Sequence, residues 1–279
     1  MAKRVIRTVV LTVLTTLIVA GCSRRAVKAP AEDLNLLATA PNLAALPVPR
    51  PWVTSAFDAT GGMATWTRAR QLDFQAVVTA DRRDGSFYLT KHEFDVYPWS
   101  DAIRVAAAEP AGSIVWQVVR GQYRMVAGNA RADVSPVSAF YGDYAEAVLE
   151  IVTAPARMLS RDVTLTRRPN RVQIGGQWYD PIEAEFRGQT VVSKEKGKEK
   201  TVVIAPYWTD GIYFQNQERN VADVVWLANP AAGKFLLVRG YDYAPLTKGG
   251  VLVPTKIEIF QSGPEALPGP RLALIDITL

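Results

Sequence analysis

The sequence predicts a mainly β chain, an all-β barrel or sandwich with two helical pieces laid against one end or face. Two observations carry this. About a dozen short segments alternate apolar and polar residues with period two, and Gly, Pro, Asn or Asp turn signals separate them. Only residues 52–63 and 141–159 carry the apolar spacing of a helix instead. No repeat of fixed period is present.

The elements follow in order. A helix is expected from about Trp52 to Met63, ended by Gly61 or Gly62, which can take the left-handed conformation. From Arg70 the period changes to two: Leu72, Phe74, Ala76 and Val78 alternate with Asp73, Gln75, Val77 and Thr79. This predicts a strand over Leu72–Thr79, a turn at Asp81–Gly85 and strands at Ser86–Tyr97, Ala102–Ala107, Ser113–Arg120 and Gln122–Ala127. In the middle helix Tyr144, Ala147, Val148, Ile151, Met158 and Leu159 share an apolar face, with Asp143, Glu146 and Glu150 on the other side. Glu146 and Glu150, one turn apart, read as a solvated face. Pro155 should kink or split the segment. Strands resume at Val172–Ile174, Trp178–Arg187, Gln189–Ser193, Thr201–Pro206, Val221–Ala228, Phe235–Asp242, Val251–Phe260 and Leu272–Leu279, with loops at 194–200 and 207–220.

The charged run at 194–200 carries four lysines and two glutamates, flanked almost symmetrically by Thr190–Ser193 and Thr201–Ile204. It reads as a hairpin tip in water that binds no ligand. A two-residue loop Gly197-Lys198 would set Lys196 opposite Glu199 and Glu195 opposite Lys200, and opposite charges across a strand pair are favourable. Glycine at the first loop position suits a type II′ turn.

The start of the chain carries an address. Lys3, Arg4 and Arg7 precede an apolar run from Val9 to Ala20, too short to span a membrane comfortably. Then come Ala20, Gly21 and Cys22, the only cysteine. Basic start, apolar run, small pair and cysteine together resemble a bacterial lipoprotein signal. That resemblance implies that residues 1–21 are removed and Cys22 is lipidated, since a thiolate is the nucleophile that accepts the lipid. Ser23 follows where an aspartate would suggest inner-membrane retention, so the outer membrane is expected, with the protein facing the periplasm. Residues 22–51 form a tether. Arg24, Arg25 and Lys28 lie where anionic headgroups would be, and Pro30, Pro41, Pro47, Pro49 and Pro51 favour an extended spacer.

Charge and composition narrow the function. The full chain has 32 Lys and Arg against 27 Asp and Glu, but the signal holds three of the basic residues, so the mature balance is near neutral. No clustered basic face suggests nucleic acid. With Cys22 lipidated, no thiol remains for a disulfide or a zinc–thiolate site. A hydrophobic content of 48% is enough for a sizeable core in one domain over 52–279.

Two stretches give the domain a likeness. One is Ala59-Thr60-Gly61-Gly62-Met63-Ala64-Thr65-Trp66, running into the first strand. The other is Tyr241-Asp242-Tyr243 followed by Gly250 to Ile259. With the order of elements, they resemble the LolA/LolB-like lipoprotein-carrier superfamily. The resemblance implies a large antiparallel, unclosed β-barrel (a half-barrel) with helices covering its concave face. It also implies an apolar pocket under the helix at 141–159 for an acyl chain, a lipid or a lipoprotein. Tyr144, Val148, Ile151, Met158 and Leu159 are then the candidate lining residues. The alternative is an envelope lipoprotein that docks a partner and holds no ligand.

No catalytic pattern competes with these readings. His92, the single histidine, sits in a strand pattern and cannot supply a zinc site alone. There is no Gly-x-Ser-x-Gly elbow. Glu183 with Glu185 are carboxylates without context, and Gly175-Gly176 and Gly249-Gly250 read as hairpin turns, not phosphate cradles. Trp116, Trp178, Trp208 and Trp226 lie in or beside strands and suit core packing. The expectation is a monomer without metal or cofactor, and not an enzyme. Cys22→Ala should leave an unlipidated precursor. Labelling with a palmitate analogue and membrane fractionation check this, and a variant that still labels and sediments would overturn it.

Overall fold

The computed structural model describes Ala38, Pro41 and residues 46–109, 112–128, 140–195, 198–246 and 250–279. The signal, Cys22 and the basic residues beside it lie outside the described residues. Helices α1 (Pro51–Ala59) and α2 (Met63–Arg68) precede strands β1 (Leu72–Asp81), β2 (Phe87–Tyr97), β3 (Ala102–Glu109), β4 (Gly112–Val119) and β5 (Gln122–Gly128). Helices α3 (Tyr141–Val152) and α4 (Ala154–Arg157) interrupt the sheet. Then come β6 (Val163–Arg167), β7 (Val172–Ile174), β8 (Gln177–Phe186), β9 (Gln189–Glu195), β10 (Lys198–Ile204) and β11 (Asp210–Asn216). The last four are β12 (Ala222–Asn229), β13 (Lys234–Pro245), β14 (Leu252–Gln261) and β15 (Arg271–Thr278). Among the described residues no helix is long and apolar enough to cross a membrane.

Thirteen strands form one antiparallel sheet in the order β5-β4-β3-β2-β1-β15-β14-β13-β12-β11-β8-β6, with β7 also on β8. The end strands β5 and β6 do not pair, so the barrel stays open, as expected. β9 and β10 form a separate hairpin. The alternation that identified β1 is its burial pattern: Leu72, Phe74, Ala76, Val78 and Ala80 face the core and the residues between them face outward.

The expected helix over 52–63 is two helices. Gly61 (φ +111°) and Gly62 (φ +84°) turn the chain left-handed after α1. The turn folds Trp66 back: its Nε1 donates to the Thr60 hydroxyl at 2.9 Å, which donates to the Ala56 carbonyl at 2.8 Å. Trp66 also meets Phe57 edge to face at 5.9 Å. The Leu252 amide donates to the Thr60 carbonyl at 3.0 Å. The Gly-Gly-x-x-x-Trp stretch and the late strand that carried the likeness are therefore in direct contact.

Pro155 splits the middle helix as expected. It falls in the first turn of α4, where its missing N–H costs nothing. Two strands were not anticipated. β6 is short, and β11 lies inside the expected loop 207–220. β11 is buried on both faces from Gly211 to Asn216 and so lacks the period-two alternation that marked the others.

The hairpin at 189–204 forms, but its register differs from expectation. Glu195 pairs with Lys198 and Lys194 with Glu199, so residues 196–197, not Gly197-Lys198, lie between the strands. Both registers set glutamate opposite lysine, so charge alone did not choose between them. The observed register also sets Val191 opposite Val202.

A Cβ on Gly61 would lie 2.6 Å from the Gly250 carbonyl oxygen, on backbone that cannot swing away. Gly61→Ala should therefore destabilise the fold by at least about 1–2 kcal/mol, from the left-handed φ alone. Gly62→Ala meets nothing within 4 Å and carries only the φ cost. Denaturant midpoints of the two variants measure the difference.

Candidate functional site: a lid helix and a polar seam

α3 is buried on every side except at Asp143, because it lies in the trough of the curved sheet. It touches β3 and β4 on one arm and β12, β13 and β14 on the other. Its aromatic side packs on the first arm. Tyr144 OH and His92 Nδ1 are 2.9 Å apart, and the Tyr141 and Trp116 rings lie 4.3 Å apart. His92, expected as a polar strand residue, is fully buried here.

Of the five candidate lining residues, three lie on α3 itself and two follow α4. Tyr144 and Val148 are 0% exposed, Ile151 and Leu159 2%, and Met158 4%, all within the main apolar core. A separate hollow of about 490 Å³ lies on the face opposite the lid, beside Gln75, Lys91, Glu93, Ala106, Ser113 and Thr278.

Glu146 and Glu150 overturn the expectation of a solvated face: they are 2% and 1% exposed. Their i, i+4 spacing does place them on one side of α3. That side meets the gap between the two arms, not water. Arg157 on α4 donates through Nε to Glu150 Oε1 at 2.9 Å and places Nη1 2.9 Å from Asp101 Oδ1, in the turn after β2. Tyr213 on β11 donates to Glu150 Oε2 at 2.6 Å. Gln189 Nε2 donates to Asp101 at 3.2 Å and to Asp162 at 2.6 Å. Asp143, Tyr207 and Lys234 form a second node, with Lys234 Nζ 2.8 Å from Asp143.

These contacts bridge the two arms. Asp101 and the turn at Arg120-Gly121 belong to the β2–β5 arm, and Asp162, Gln189, Tyr207 and Tyr213 to the other. Gly121 (φ +75°) lets them approach: a Cβ there would lie 2.7 Å from the Tyr207 amide nitrogen. A hollow of about 20 Å³, room for one water, remains among Asp101, Arg120, Glu146, Arg157 and Tyr207.

Two buried carboxyls, Glu146 and Glu150, and the partly buried Asp101 share one buried guanidinium. Burial pushes Glu146 well above the usual carboxylate range, and the charges of Asp101 and Glu150 push the same way. Burial raises Glu150 and Asp101 too, against the pull of Arg157. Burial works against the charge on Arg157, but Asp101 and Glu150 outweigh it and hold the guanidinium protonated. Among the described residues no group of three His, Cys, Asp or Glu side chains is placed to hold a metal ion. The arrangement can hold or release a proton and can tie the two arms together.

No family profile matches the sequence, and no curated protein matches it either. The structure is similar to a LolA superfamily protein from Nitrosomonas europaea, at 12% identity over 84% of this chain and 93% of that one, with a TM-score of 0.47. It is similar to a DUF1329 family protein from Desulfovibrio piger, at 9% identity over 81% and 91%, with a TM-score of 0.40. A third likeness is to a domain from Vibrio parahaemolyticus assigned to outer membrane lipoprotein sorting, at 9% identity over 81% and 92%, with a TM-score of 0.39.

A second polar cluster lies on the opposite face, where Tyr179, Ile212, Phe214, Val224 and Leu237 make a smaller core. Asp223 there is 2% exposed and ion-paired with Arg219. Burial lifts its pKa from 3.8 to about 6, with Arg219 pulling it down. The folded state therefore binds this proton more tightly than the unfolded state. Its contribution is complete below pH 3.8 and is lost as pH rises through about 6. Asp223→Asn, which mimics the neutral form, should match the wild type near pH 4. It should be more stable at pH 7.5 by up to about 3 kcal/mol. Melting curves across that range measure it.

Arg157 was missed by sequence reasoning, because its partners Asp101 and Glu150 lie far from each other in the chain and form no motif. Arg157→Met should cost about 3–5 kcal/mol by leaving buried carboxylates uncompensated. Arg157→Met combined with Glu150→Gln should recover part of that loss, read from denaturant unfolding.

Proposed function

We propose that this is a lipid-anchored, non-enzymatic protein of the outer membrane, facing the periplasm, that admits an apolar ligand between α3 and the sheet. The ligand class is an acyl chain, a lipid or the acyl part of a lipoprotein, and trafficking of such molecules is the corresponding role. The observation that carries the reading is the seam. The two arms around α3 are joined at Asp101, Arg157 and Gln189 by side chains, and no backbone ladder links β5 to β6. Parting them therefore breaks a few polar contacts and leaves every sheet hydrogen bond in place. Behind the seam lies the apolar side of α3, with Val148 and Ile151 against the sheet.

A second reading, an envelope lipoprotein that docks a partner and holds no ligand, is favoured by one observation. Tyr144, Val148, Ile151, Met158 and Leu159 are already in contact with protein. Native mass spectrometry of the mature protein, taken from its own membrane, separates the two. Ligand binding predicts an added lipid-sized mass that organic extraction removes, and a fluorescent fatty acid that binds the extracted protein. Bare protein that ignores the probe would support the second reading.

A further inference from the structure

The seam contains a buried carboxyl oxygen, Glu146 Oε1, without a hydrogen bond among the described residues. Its surroundings come from every element packed there. α3 presents Asp143 and Glu150, α4 presents Arg157, and Asp162 follows α4. Asp101 and Arg120 come from the turns after β2 and β4, and Tyr123 from β5. Arg187, Tyr207, Tyr213 and Lys234 come from the other arm. Arg157, whose charge favours an ionised Glu146, is shared with Glu150 and Asp101, Arg120 acts on Asp101, Lys234 is held by Asp143, and the mostly exposed Arg187 by Glu185. The adjoining hollow is small, with about 20 Å³ of room for water. His92, the other titratable group against α3, lies on the opposite side of the helix beside Tyr144.

We propose that Glu146 is the proton switch of the seam: with its carboxyl protonated the arms close on α3, and loss of that proton parts them. An ionised Glu146 adds another negative charge to a buried site whose guanidinium is already shared. In the parted state water reaches the carboxylate and the penalty is gone. The closed state therefore holds the proton more tightly than the parted one, in line with the upward shift that burial imposes on this group. Closure is complete below the pKa of the parted state and weakens as pH rises. The loss is about tenfold in the closed-to-parted ratio per pH unit, until the pKa of the closed state is passed. The switch stands on the seam alone and holds with or without an apolar ligand.

Amide hydrogen exchange of the full-length protein in mild detergent, without ligand, tests it between pH 5 and 9 after correction for intrinsic rates. In the wild type, opening of α3 and of the turns at 98–101 and 120–121 should rise about tenfold per pH unit over at least one unit. E146Q should stay closed and flat across the range, while H92Q keeps the rise. A flat wild type, a flat H92Q or an E146Q that follows the wild type would each overturn the proposal. Infrared titration of the wild type needs no variant to fold. A protonated-carboxyl band should persist while exchange rises and disappear as the rise levels off. A band lost before the rise begins would overturn the proposal as well. Because no ligand is used, failure here leaves the binding reading standing, and failure to bind a fatty acid leaves the switch standing.

Discussion

The buried guanidinium of Arg157 is the constraint on which the rest depends. A charge in that position needs partners, because taking an ion out of water costs several kcal/mol that its attractions must offset. Its partners are Glu150 on the helix before it and Asp101 on the far arm of the sheet. Any arrangement that satisfies all three fixes the helix in the trough and brings the arms to a set separation. Buried ion pairs add little net stability compared with apolar packing. What this one supplies is position: α3 cannot rotate or slide by a turn without stranding a charge.

That position explains why the sheet stays open. A closed barrel of this many strands would enclose a wide lumen. Here one helix lies in the trough, and the seam holds side chains in place of a backbone ladder. The chain leaves the sheet at Phe186, makes the separate β9–β10 hairpin and returns at Asp210. The return segment carries Tyr207 and Trp208 across the mouth of the seam, and Trp208 is 2% exposed. The extra hairpin and the closed seam are thus consequences of one excursion of the chain.

Much of the fold was legible because period-two alternation survives wherever a strand has one wet face. β1, β2 and the final hairpin are of this kind. β11 was not legible, since Ile212-Tyr213-Phe214 is covered on both sides and reads as a plain apolar run. The apolar side of α3 could be read from its spacing, and so could the break at Pro155. The polar side was misread, because periodicity says which residues share a face and not what that face meets. Glu146 and Glu150 look like any solvated pair until a second arm closes over them. The hairpin register failed for a similar reason, since alternating Lys and Glu repeat every two residues and fit more than one pairing.

The buried apolar side of α3 limits how this molecule can open. Burying a side chain such as Val, Leu, Ile or Met is worth about 1.5–3 kcal/mol. Exposing Tyr144, Val148, Ile151, Met158 and Leu159 together would therefore cost on the order of 10 kcal/mol, as much as a whole domain's stability. A lid that swings fully into water is thus equivalent to unfolding. Parting the seam is different, because α3 contacts both arms and can keep one set of contacts while yielding the other. The aromatic contacts of Tyr141 and Tyr144 with Trp116 and His92 tie it to the β2–β4 arm. The arm that yields is then the one bearing Gln189, Tyr207 and Tyr213. An occupant of the space so created must replace apolar contact along α3 while leaving the carboxyls at the seam partnered. A long apolar molecule with a small polar end satisfies both demands, and a bulky polar one satisfies neither.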